Sequence, residues 1–234
     1  MRVWVARPEP GATRTGDALA ARGHTPLVAS VLSVRPTGAP VPEGPFDAIV
    51  VTSANAVPAL QGAALRGLPV FAVGARTAVL AARAGLGPVI EGPGEGAGLA
   101  APLRRDLGPG ARLLHAAGAE RKPEPAASLA AGGYALTTFV AYEAVALPVL
   151  PEPAAAALGG GALDAALHYS RRTAATALAL AEAEGHGGAF SRLRHYCLSG
   201  DVAEALEAAG VPVHFVAARP READLLDGLG PAGA

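Results

Sequence analysis

Seven short apolar runs, each followed by a turn and a helix-like stretch, constrain this chain more than any other feature. They lie at 3–6, 48–52, 70–73, 112–116, 165–169, 196–199 and 213–217. The runs show little polar alternation, as expected of strands covered on both faces. Strand and helix in regular succession argue parallel sheets with crossover helices. Helices are expected near 14–22, 55–66, 75–84, 97–107, 124–131, 171–184, 202–209 and 222–229. Two longer runs, 27–34 and 136–145, break the pattern, and each adjoins a proline-dense stretch, 36–45 or 147–153. They suit a two-stranded antiparallel linker. The expected fold is therefore α/β, with two similar lobes of parallel sheet flanked by helices and a ligand cleft between them. Lobe one takes 1–33 and 148–234, lobe two takes 37–139, and the linker strands are 34–36 and 140–147.

An internal repeat supports two copies of one design. Stretch 116–133 resembles 6–23, Ser170 matches Ser53, and the turn at 199–203 matches 74–78. Pro220 matches Pro93, so the offsets grow slowly in chain order, from 110 through 117 and 125 to 127. A length of 234 residues allows one large domain or two small ones, and 51% apolar against 17% charged residues excludes a disordered chain. A net charge of −1 supplies no basic excess for a phosphate backbone, so nucleic acid is not an expected partner. No apolar run approaches a membrane span, and Arg7 and Pro8 interrupt the start before a signal-peptide core forms. Cys197 is alone, which precludes an internal disulfide and a zinc site of paired cysteines. A monomer in the cytoplasm is expected.

The chemistry is concentrated at strand-to-helix turns. Ser53 and Ala54, Gly74 and Ala75, Gly118, Tyr169 with Ser170 and Arg171, and Ser199 with Gly200 all fall there. Free N–H groups at helix starts attract anions, while Ser and Thr at such positions also serve as plain helix caps. Several such turns on one rim favour a ligand with multiple negative groups. The phosphate-binding Gly-x-x-x-x-Gly-Lys-Ser/Thr loop and the Gly-x-Ser-x-Gly elbow are both missing, and Lys122 is the only lysine. The six histidines include no helical i, i+4 pair for a metal, so no metal site is expected.

Several motifs resemble the uroporphyrinogen-III synthase family. They are Arg7-Pro-x-Pro-Gly, Phe46-Asp-Ala-Ile-Val-Val-Thr-Ser-Ala-Asn-Ala-Val57, Val73-Gly-Ala-Arg-Thr-Ala78, Val140-Ala-Tyr-Glu-Ala-Val145, His168-Tyr-Ser-Arg-Arg-Thr-Ala174 and Leu198-Ser-Gly-Asp-Val-Ala203. The resemblance spans nearly the whole chain. It implies a cofactor-independent lyase that closes hydroxymethylbilane, a linear tetrapyrrole with eight carboxylates, and inverts ring D through a spiro intermediate. It makes Tyr142 a candidate proton donor, with a packing tyrosine as the alternative, and makes Thr77 a second catalytic candidate. Arg7, Arg121 and the turn residues named above become candidates for substrate binding, and Lys122 follows the same turn as Arg121. Asp201 and Val202 stand where relatives often carry threonines. The competing readings are a non-catalytic two-lobed module for a polyanionic small molecule and a nucleotide-using transferase. The expected outcome is type III porphyrinogen formation that survives chelator and exhaustive dialysis. Activity restored only by a metal or nucleotide would refute the assignment.

Overall fold

The computed structural model describes residues 1–62, 65–121 and 123–230. In chain order the elements begin with β1 (Arg2–Val5), α1 (Gly11–Ala20), β2 (Thr25–Val28), β3 (Leu32–Pro36), β4 (Ala48–Val51), α2 (Val57–Leu60) and β5 (Val70–Ala72). They continue with α3 (Ala75–Arg83), β6 (Val89–Glu91), α4 (Ala100–Asp106), β7 (Arg112–Gly118), α5 (Ala126–Ala131) and β8 (Ala135–Ala146). Then follow α6 (Glu152–Gly159), β9 (Ala165–His168), α7 (Arg171–Ala183), α8 (Gly187–Ser191), β10 (Arg194–Cys197), α9 (Gly200–Glu207), β11 (Phe215–Val216) and α10 (Glu222–Asp227). The chain divides into two compact units, one of Met1–Ser33 with Val145–Ala234 and one of Val34–Ala144.

The first unit holds a five-stranded sheet in the order β11-β10-β9-β1-β2, parallel at each pairing. Its central strands are buried from their second residue on, and β9 throughout, because helices cover both faces, and successive residues divide between the two cores. Val3 and Val5 pack with Leu19, Leu225 and Leu226 on one face. Trp4 points to the other face, where it meets Phe190 edge-on at 6.0 Å, and its Nε1–H donates to Ala29 O at 2.8 Å.

The second unit holds a six-stranded sheet in the order β3-β8-β7-β4-β5-β6. The five strands from β8 to β6 are parallel. β3 runs the other way, since Leu147 N–H donates to Val31 O and Thr37 N–H donates to Ala141 O. The same division of faces recurs here. Ile49, Val51, Leu114 and Phe139 build one core, and Val50, Phe71, Leu113 and Leu103 build the other. Residues 34–36 lie in β3 and 140–146 in β8, so both stretches are strands of this six-stranded sheet.

The internal repeat is carried through to hydrogen bonds. Val3 lies opposite Pro26 and Ala165 in one unit, and Leu113 lies opposite Leu136 and Ala48 in the other. The Asp164 carboxylate accepts from Arg2 N–H at 2.7 Å, and the Asp47 carboxylate accepts from Arg112 N–H at 2.8 Å. The chain enters the design at different strands, as β1-β2 then β9-β10-β11 in one unit and as β4-β5-β6 then β7-β8 in the other.

Four local expectations change. The run 27–34 is two strands, because Ser30 Oγ donates to Leu32 O at 2.7 Å and closes a bend between them. Of the helix expected over 55–66, residues 63–64 lie outside the described residues, and the described part holds a 3₁₀ turn at Ala54–Ala56 followed by α2. It stops where Gln61 turns extended and Gly62 takes a φ of +76°, a conformation that glycine adopts without strain. The tenth strand starts two residues earlier than expected, at Arg194. β6, α6 and α8 were not anticipated, and α6 begins inside a proline-dense stretch because Pro153 occupies the first turn, where its missing N–H costs no helical bond. Truncating Leu114, fully buried in the second unit, is expected to cost ~2–5 kcal/mol. Denaturant unfolding of the Leu114→Ala variant measures this directly.

Candidate active site

In open parallel sheets, ligands bind beyond the carboxyl ends of the strands. The second unit has a cavity of about 610 Å³ there, whose walls include Thr52, Val73, His115, Gly118, Arg121 and Tyr142. Tyr142 reaches it through an irregularity in strand pairing. Ala117 lies opposite Val140, but Gly118 lies opposite Tyr142, so β8 bulges by one residue. The ring then lies across Gly118, where an added Cβ would come within 2.8 Å of it, so glycine is required for this approach. Arg121 curls back over the same turn, and its Nη1 donates to Gly118 O at 3.3 Å and Ala119 O at 3.2 Å.

His115, on β7, is buried beside them. Its Nε2 lies 3.4 Å from Thr52 Oγ1, and its Nδ1 has no partner among the described residues. Burial, assisted by the Arg121 charge, lowers its pKa to about 4.

The other turn residues of this unit are helix starts. Ser53 caps its turn, with Oγ accepting from Asn55 N–H at 3.2 Å, and Ala54 begins the 3₁₀ turn. Gly74 is the extended N-cap of α3, ahead of Ala75, and a Cβ on it would stand 3.2 Å from Gly94 Cα. Thr77 is 5% exposed in the first turn of α3 and is not among the residues lining the cavity.

The strand ends of the first unit are occupied by a polar cluster. The Arg7 guanidinium carbon sits 3.9 Å above the Tyr169 ring centroid. Arg7, Thr15 and Tyr169 all donate to Glu222 Oε1, at 3.2, 2.6 and 2.7 Å. Burial pushes the Tyr169 hydroxyl well above its ordinary range. Burial also raises Glu222, but the bonds from Thr15 and Tyr169 and the charges of Arg7 and Arg14 outweigh it, leaving a lowered pKa. Ser170 Oγ accepts from Thr173 N–H at 3.2 Å and caps α7. Arg171 is exposed and ion-paired with Asp201 at 2.9 Å and Glu204 at 3.0 Å. Ser199 is the N-cap of α9 with no side-chain cap bond, and the space beside Gly200 is open.

The residues proposed from sequence thus gather as Gly118, Arg121 and Tyr142 in one unit and as Arg7 and Tyr169 in the other. Lys122 lies outside the described residues. Thr52, His115 and Glu222 were missed. Thr52 directly precedes the Ser53 turn, and His115 is the lone polar residue between Leu113 and Ala117. Glu222 carries no local signal, because its partner Arg7 is 215 residues away. Among the described residues, no cluster of His, Cys, Asp and Glu could hold a metal ion, and no helix is long and apolar enough to cross a membrane.

Two units of mainly parallel sheet flanked by helices, with helix starts and polar side chains at their strand ends, define an α/β protein. A family model described as "Uroporphyrinogen-III synthase HemD" matches residues 14–227, so the chain belongs to the uroporphyrinogen-III synthase family. The solved uroporphyrinogen-III synthetase of Helicobacter pylori shares the fold, with a TM-score of 0.60 at 16% identity over 97% of each chain. A mutant uroporphyrinogen III synthase of the extremely thermophilic bacterium Thermus thermophilus is 22% identical, with a TM-score of 0.49, covering 98% of this chain and 97% of that one. No curated protein matches the chain.

The buried imidazoles make stability pH-dependent. Burial is the largest cause for all three, holding His115 and His195 at about 4 and His168 at about 3. In the unfolded chain they take up protons near pH ~6.5. Between that value and about 4 the unfolded state therefore binds more protons, so stability present above pH ~6.5 is lost as the pH falls. Urea unfolding followed from pH 7.5 to 4 should show the midpoint dropping through this window.

Proposed function

We propose that this chain closes hydroxymethylbilane to uroporphyrinogen III with loss of water and inversion of ring D. The observation that carries the reading is Tyr142, bulged across Gly118 into a strand-end cavity, in a chain of this family. Loss of the terminal hydroxyl leaves an electrophilic azafulvene. Ring D attacks it through its substituted carbon, and the spiro intermediate fragments and recloses with ring D turned over. The substrate is reactive enough to close unaided to the type I isomer, so the protein's main task is orientation.

Tyr142 is assigned as the donor that assists departure of the hydroxyl. Arg121, held in the structure by carbonyl oxygens, is assigned to a substrate carboxylate. The helix starts at Ser53–Ala54 and Gly74–Ala75 add backbone donors, and Thr77 supports the latter turn from within. We assign further carboxylates to the rim of the first unit, at Tyr169, Ser170, Ser199 and Gly200. Arg7 and Arg171 already hold carboxylates of the chain itself, and a substrate carboxylate would compete with Glu222 or Asp201 for them. Strands β3 and β8 serve as the linker in this reading, with the substrate taken into a cleft. The protein is proposed to act as a cytoplasmic monomer without metal or organic cofactor, since the azafulvene supplies its own reactivity. A purely binding module has no specific observation in its favour.

The test is incubation with enzymatically generated hydroxymethylbilane and separation of the porphyrin isomers. Type III product supports the assignment, and type I alone overturns it. General-acid help is typically worth ~10²–10⁴-fold. Water or a substrate carboxylate can substitute for a phenol here, so Tyr142→Phe is expected to slow type III formation about 10- to 100-fold with an unchanged melting curve. A wild-type rate would leave Tyr142 with packing alone.

A further inference from the structure

The internal repeat sets a standard against which single residues stand out. By register, the position of His115 in the second unit corresponds to Val5 in the first, and both are buried in a central strand. A valine there needs no hydrogen bond, whereas an imidazole needs two partners. Three buried histidines leave Nδ1 without a partner among the described residues: His24, His115 and His168. Two of them use the other nitrogen well, since His24 Nε2 is 3.1 Å from Gly230 O and His168 Nε2 is 2.9 Å from His195 Nδ1. His115 does not. Its only bond among the described residues reaches Thr52 Oγ1 at 3.4 Å, beyond the usual range, and both residues line the strand-end cavity.

The tautomer follows from burial. The Nδ1 of His115 is sealed from solvent, and a buried orphan N–H is rarer than a buried orphan acceptor, which assigns the proton to Nε2. The Nε2–H and the Thr52 hydroxyl are then two neighbouring donors that serve each other poorly. A carboxylate, with two oxygens, can accept from both. We infer that His115 and Thr52 together form a seat for one acetate or propionate carboxylate of the substrate, making His115 a substrate-binding residue. The inference rests on the function proposed above. Arg121 on the cavity wall adds a favourable charge, which the carboxylates of Glu95, Glu120 and Glu124 on the same walls oppose.

Two measurements test this. In wild-type protein labelled with ¹⁵N, titration with a pyrrole carrying one acetate and one propionate arm should shift the His115 Nε2 signal saturably. His115→Leu should raise KM for hydroxymethylbilane about 10- to 100-fold with kcat changed less than about threefold. His115→Gln, which places an amide N–H near the same point, should recover most of the loss. An unshifted signal, or a folded Leu variant with wild-type KM, overturns the seat even if type III product forms. A Gln variant no better than Leu also overturns it, since only packing would then be at stake. A shifted signal in a protein that makes no type III product would sustain the seat and sink the proposed reaction.

Discussion

Parallel pairing between distant stretches, β1 with β9 and β4 with β7, is the constraint on which the rest depends. These strands are buried on both faces, so each apolar residue packs against a helix layer and shifting the register would disturb both layers at once. Asp164 and Asp47 hold that register at the strand starts, each accepting from the backbone N–H of the neighbouring strand. With the strands aligned, their carboxyl ends end together, and the turns that follow bring Ser53, Gly74, Ser170 and Ser199 to the starts of their helices.

The two units spend the same design differently. The first fills its strand ends with Glu222 and the three donors that converge on one of its oxygens. The second leaves a cavity at the equivalent place, where His115 and Thr52 make only a long contact of 3.4 Å. Histidines also divide unequally. His168 and His195 stand where the second unit has Val51 and Val70; they bond each other at 2.9 Å within the core and His195 also bonds Phe190 O, which leaves His168 Nδ1 without a partner among the described residues. His115 stands where the first unit has Val5 and finds no comparable partner among the described residues. A pair bonded at 2.9 Å within the core serves the fold, whereas a poorly bonded group beside a cavity is available to a ligand.

A site of this kind suits a reaction whose reagent needs guidance more than activation. Backbone donors at helix starts are fixed by the fold and lose no side-chain entropy on binding. Cys197 offers no alternative nucleophile, because burial, with help from Glu207, pushes its thiol to about 12. In the proposed reaction the chemistry is left to groups that donate hydrogen bonds and orient carboxylates.

The sequence alone determined the alternation of strands and helices, the repeat with its growing offsets, and the turns that carry the family motifs. These are local properties: an apolar run, a small residue after it, a helix-forming stretch beyond. Tertiary structure decided what depended on distant partners. Ser30 divides the run 27–34 because its bond to Leu32 outweighs continued extension, and the two halves then join different sheets. Tyr142 is turned across Gly118 by a bulge, which requires β7 to lie beside β8 before one residue can be skipped. Glu222 meets Arg7 and Tyr169 only after the sheet of the first unit has formed, and His115 meets Thr52 only across the β4–β7 pair. Composition and spacing carry periodicity, but side-chain pairing across strands depends on register, and register is set by the packing of the whole layer.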